Sequence, residues 1–125
     1  MDKIIPTMQA MLKHPENISD VCVGTESHVE EYFFVYGDKY KWSISQAEDG
    51  SYNLYYYALP QFTIKKIAGM RIEEQQPNLM WFTSKNFPGK EQQLAFADLY
   101  KVVKAKLFNI DAVMEDIIGD DLTPF

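Results

Sequence analysis

The tightest constraint on the fold lies between residues 31 and 58. Two stretches dense in aromatic and β-branched residues, 31–36 (EYFFVY) and 39–45 (KYKWSIS), flank Gly37 and Asp38. Such residues suit a pleated, half-buried surface. Gly-Asp suits a two-residue hairpin loop with positive φ at the glycine. A loop of that length sets Val35 opposite Tyr40, Phe33 opposite Trp42 and Glu31 opposite Ile44. The next connection, residues 47–51 (AEDGS), suits a type I turn with Gly50 in the left-handed position. It sets Ile44 opposite Leu54 and Trp42 opposite Tyr56.

Alternate residues of a strand point to opposite faces. One face then carries Phe33, Val35, Tyr40, Trp42, Ile44, Tyr52, Leu54, Tyr56 and Ala58, and reads as the core. The other carries Tyr32, Phe34, Tyr36, Lys39, Lys41, Ser43, Ser45, Tyr55 and Tyr57, rings with lysines and hydroxyls between them. A one-residue shift at the second turn would exchange Tyr55 and Tyr57 for Tyr52, Leu54 and Tyr56.

The rest of the chain supplies helices. Ile4, Ile5, Met8, Met11 and Leu12 make one apolar stripe over residues 2–13. Pro6 is tolerated in the first turn, and Pro15 ends the element. Residues 18–23 read as a strand. Residues 59–76 are open between two readings. Pro60 can start a short helix through Ile64, Ile67 and Ala68 that stops at Gly69. Phe62, Ile64 and then 70–72 also alternate like strands, which is the reading preferred here. Residues 79–83 (LMWFT) read as a buried strand. From Lys90 to Ile118 the period is helical, with Phe96, Leu99, Val103, Leu107, Ile110, Met114 and Ile117 as the core strip. Phe108 to Asp111 breaks it in two, with Asp111 as an N-cap and Gly119 as the stop. The fold expected is α+β in one domain, residues 1–125. It has an N-terminal helix, an antiparallel meander of about five strands, and a C-terminal helix or helix pair on one face.

Charge and composition narrow the function. Twelve basic residues against eighteen acidic give a net charge of −6, and Arg71 is the sole arginine. That argues against a nucleic-acid partner, whose phosphates must be neutralised. No run reaches the length of a membrane span, and residues 1–17 do not read as a signal peptide, so a cytoplasmic protein is expected. The charge is uneven. Residues 85–108 carry five lysines against Glu91 and Asp98, whereas 109–125 carry five acids and no base. The second run reads as a solvated tail or as a docking surface for a basic partner.

Catalytic chemistry has little to stand on. Cys22, the one cysteine, lies between Val21 and Val23 as a small hydrophobe would. Glu26, His28 and Glu30 would share a strand face, two oxygens and a nitrogen, but the spacing matches no known metal signature. No metal or other cofactor is expected. The rings are the distinctive feature, since an exposed apolar patch marks an interface and tyrosine suits one. The expected function is therefore a small acidic, non-catalytic interaction protein that binds a protein partner or itself as a homodimer. Its contact residues would be Tyr32, Phe34, Tyr36, Lys39, Lys41, Tyr55 and Tyr57, with Asp111, Glu115 and Asp116 of the acidic terminus. Whether another layer of the chain covers the ring face is open. The alternative is an enzyme or small-molecule binder with a pocket between sheet and helices.

Overall fold

The computed structural model describes residues 3–26 and 28–122. The chain is α+β. Helix α1 (Ile4–Lys13) precedes a one-turn 3-10 helix, Pro15–Asn17, and strand β1 (Ile18–Val23). Strands β2 (Glu31–Tyr36), β3 (Tyr40–Gln46) and β4 (Tyr52–Tyr57) follow by hairpins. Helices α2 (Ile64–Ala68) and α3 (Ile72–Gln75) come next, then β5 (Leu79–Thr83), α4 (Lys90–Leu107) and α5 (Ile110–Leu122). The sheet is a five-stranded antiparallel meander in the order β1-β2-β3-β4-β5.

Local chemistry explains several element ends. The first intrahelical bond of α1 runs from Thr7 N–H to Lys3 O at 2.9 Å, so Pro6 falls where a helix has no use for an N–H. The β3–β4 turn is built by its own residues. Asp49 Oδ1 accepts from Ser51 N–H at 2.9 Å and from Ser51 Oγ at 2.6 Å, and Gly50 has φ +89°. The Ser51 hydroxyl and Lys85 hold the Asp49 carboxyl well below the usual range. The register is the expected one, Ile44 opposite Leu54 and Trp42 opposite Tyr56.

The β2–β3 register differs from expectation by one residue. Gly37 and Asp38 both have positive φ (65° and 63°), and Lys39 N–H closes the turn on Tyr36 O at 3.4 Å. Lys39 stays in the loop as an extra residue, so Tyr36 pairs with Tyr40 and Phe34 with Trp42. Every side chain of β2 therefore changes face relative to β3. Tyr32, Phe34 and Tyr36 do not join Tyr55 and Tyr57. They lie with Trp42, Ile44 and Leu54 under α1 and α4, in a core with Met8, Phe96, Leu99 and Val103. Each such fully buried large apolar chain stabilises by about 1.5–3 kcal/mol. Phe33 and Val35 face the other way, with Tyr57, Leu59, Ile64 and Ile67.

Three further expectations are corrected. Residues 59–76 form helices α2 and α3 rather than strands. Thr63 Oγ1 caps α2 by accepting from Lys66 N–H at 3.2 Å, and Ile64, Ile67 and Ala68 are buried at helical spacing. Strand β5 is an edge strand, not a buried one, and Met80 and Trp81 are 53% and 60% exposed. The long C-terminal helix does break at Asn109 (φ +51°), but α5 starts at Ile110 and runs through Gly119 to Leu122. Asp111 thus sits inside the helix instead of capping it. The core strip runs through Val103 to half-buried Leu107, and beyond Asn109 the stripe Ile110, Met114, Ile117 faces solvent.

Candidate functional site

Face changes on β2 bring a carboxylate onto the second sheet face. Glu31 pairs with Ser45 and stands beside Ser43, Asn53, Tyr55 and Tyr57. The loop after β1 and helices α2–α3 roof this face, leaving a cleft of about 430 Å³. Thr25 N–H donates to Ala68 O at 3.1 Å, tying loop to roof. Gln75, buried, donates through Nε2 to Ile67 O at 3.3 Å and to Met70 O at 3.5 Å, tying α3 to α2. Gly24 lies where a Cβ would come within 2.6 Å of the Phe33 ring, so a side chain here would force the loop or the ring to shift.

Beneath the cleft floor a chain of hydroxyls ends on the carboxylate. Ser43 Oγ donates to Glu31 Oε2 at 2.5 Å and lies 2.7 Å from the Tyr57 hydroxyl, which is also 3.3 Å from Glu31 Oε2. With one proton each, Tyr57 donates to Ser43 and Ser43 to Glu31. Burial and then the Glu31 charge push the Tyr57 phenol well above its ordinary value, so it remains a donor. The same two causes raise Tyr55. Three rings stack along the wall: Tyr57 on Tyr55 with centroids 6.4 Å apart, and Tyr55 on Trp81 at 6.4 Å and 14°. Trp81 Nε1 donates to Asn53 Oδ1 at 2.9 Å, which fixes that end of the wall. At the mouth stand Glu26, His28, Arg71 and Glu73, all exposed. Of the ionisable side chains lining the cleft, three are carboxylates.

The residues expected to form one contact surface are dispersed. Tyr55 and Tyr57 are in the cleft. Tyr32 and Phe34 are core, at 1% and 0% exposure, and the Tyr32 hydroxyl donates to Glu30. Tyr36 is half-buried on the helix side, in an apolar hollow of about 360 Å³ with Tyr40, Trp42 and Tyr56. Among the described residues nothing accepts from the buried Trp42 indole N–H, and the hollow beside it is lined mainly by rings, with no charged group. Lys39 lies over the Tyr40 ring at 4.8 Å, and Lys41 lines a separate depression with Asp20 and Cys22. Burial pushes the Cys22 thiol up, away from the reactive thiolate. Glu115 and Asp116 are exposed on α5, while the side chain of Asp111 lies outside the described residues. Sequence reasoning missed Glu31, Asn53 and Gln75. It did place Ser43 and Ser45 with Tyr55 and Tyr57, and two small hydroxyls in so apolar a strand were the available signal. Among the described residues no three His, Cys, Asp or Glu side chains gather to hold a metal, and no helix is long and apolar enough to cross a membrane.

No protein-family model, curated protein or solved structure matches this chain.

Proposed function

We propose that this protein is a non-catalytic binding protein whose cleft takes a small organic cation. The observation that carries the reading is the Glu31 carboxylate, held by Ser43 and Tyr57 at the floor of a ring-walled cleft. A carboxylate beside aromatic faces is the pairing that favours an ammonium or guanidinium group. Glu26 and Glu73 at the mouth add to its sign. The volume suits a small ligand. Binding is favoured over catalysis because Ser43 is fully buried beneath the floor and Tyr57 keeps its proton, so neither presents a nucleophile.

A panel of amines, guanidines, carboxylates and sugars tests this by thermal shift and calorimetry. A cation at a hundredfold excess over its dissociation constant adds about 2.7 kcal/mol, or roughly 8 °C in Tm. Glu31→Gln abolishes that gain. Binding of anions or neutral compounds alone, unchanged in Glu31→Gln, refutes the reading.

A second reading keeps the protein partner but moves it to α5. Its Val113, Met114, Ile117 and Ile118 are 45–64% exposed, and the segment carries acids without a base. That pattern fits an apolar groove with a basic rim. Deleting residues 110–125 leaves Tm within about 2 °C if α5 serves a partner, since surface changes cost little. A loss of several kcal/mol makes α5 structural instead.

A further inference from the structure

The two edges of the sheet are treated differently. Strand β1 is broken by a bulge, with its register shifting between Ser19 and Cys22 and Asp20 at φ +53°, and both α2 and α4 pack against it. A bulge and a covering helix are the usual protections of an edge. Strand β5 has neither a bulge nor a charge nor a proline along LMWFT, and it pairs with β4 in unbroken register. Its outward backbone groups can be identified. Ala58 N–H donates to Asn78 O at 2.8 Å. Antiparallel bonding alternates along a ladder, so Met80 and Phe82 turn their backbone groups toward β4. Leu79, Trp81 and Thr83 turn theirs away from it.

Trp81 is exposed yet already ordered. Its ring runs nearly parallel to that of Tyr55, with centroids 6.4 Å apart, and its N–H is fixed on Asn53. A large, exposed and pre-positioned ring is the kind of anchor that carries binding energy with little ordering cost. It also sits at the centre of the five-residue strand, on one of the three outward-bonding positions.

We propose that two copies of this chain pair antiparallel through β5, about a two-fold axis at Trp81, joining two five-stranded sheets into one. The parity of the ladder fits that axis. Trp81 faces Trp81 of the second copy as a hydrogen-bonded pair, and Leu79 faces the second copy's Thr83 likewise. Met80 meets the second copy's Phe82 between them. The interface is isologous, so each copy offers the same surface and the pairing closes at two. A second copy is favoured over a foreign strand because the strand is self-complementary about its centre and brings no like charges together. A seam of this length falls below the roughly 1,200 Å² of a tight complex, so the dimer dissociates on dilution, with a Kd on the order of 100 μM.

Two measurements test it. Sedimentation equilibrium from about 10 μM to 1 mM should show a monomer–dimer transition, and Trp81→Lys should weaken it about thirtyfold, as a lost central anchor does. Amide exchange on the unaltered chain gives an independent reading. The amides of Leu79, Trp81 and Thr83 should become protected as concentration rises, while those of Met80 and Phe82 are protected throughout. A monomer up to 1 mM overturns the proposal. So does a dimer in which those three amides stay fast, which would place the contact elsewhere. Protection of the three amides only when host proteins are added, with no dimer, would assign the edge to a foreign strand and overturn it as well.

Discussion

Removing the hydroxyls under Glu31 one at a time and then together should cost more together than the sum of the parts. Ser43 is fully buried and its bond to the carboxylate is charge-assisted, a kind worth about 1.5–3 kcal/mol. In Ser43→Ala, however, the Tyr57 hydroxyl needs to move only from 3.3 Å to bond Glu31 directly. Part of the loss is recovered, leaving a cost of about 1–1.5 kcal/mol. In Tyr57→Phe the 2.5 Å bond from Ser43 to Glu31 stays intact, and one neutral bond is lost, about 1 kcal/mol. The double variant removes the Ser43 donor and also the Tyr57 hydroxyl that could replace it beside the half-buried carboxylate. It should cost about 3–4 kcal/mol, an excess of roughly 1 kcal/mol over the singles. Urea unfolding followed by tryptophan fluorescence measures all three, and an unchanged m-value confirms that only stability moved. Costs that add within about 0.3–0.5 kcal/mol would show the two hydroxyls acting independently, and the shared network would be wrong.

Two other outcomes follow from the same site. Gly24→Ala puts a methyl against the Phe33 ring, which is packed on Tyr57 with centroids 5.6 Å apart. Equilibrium unfolding should show a loss of about 1–3 kcal/mol, and Gly24→Ala with Phe33→Leu should recover part of it. Tyr32, Tyr52, Tyr55 and Tyr57 all bind their protons more tightly when folded than in the open chain, chiefly through burial. Their contribution is complete below the ordinary tyrosine value of 10.0 and is lost as pH rises above it, so stability falls in alkali. Tyrosinate absorbance should therefore rise late and together with unfolding. A smooth early titration of all eight tyrosines would contradict the burial.

How much of this was legible in the sequence depends on whether the deciding forces are local. The Ala47–Ser51 turn closes on Asp49, Gly50 and Ser51 themselves, so its register could be read from those residues. The break at Asn109 and the start of α1 around Pro6 were equally local. Residues 59–76 were not. Their apolar positions fit either period, and burial of Ile64, Ile67 and Ala68 against the sheet settled them as helix.

The amino-acid order by itself determined the α+β class, the meander, the helix positions at both ends and the acidic balance, because turn chemistry and apolar period specify these within a few residues. It did not determine which face of the sheet each β2 side chain takes. The run EYFFVY is apolar on both sides, and both of its faces end up buried, so hydrophobic pattern has no preference between two registers one residue apart. The register adopted leaves Lys39 in the loop, and with it Glu31 entered the cleft while Tyr32 and Phe34 entered the core. Tertiary packing likewise decided that β5 is an edge and that α5 keeps its apolar stripe in solvent. An apolar run states only that it gains by burial; whether a surface is there to bury it depends on elements far away in the chain.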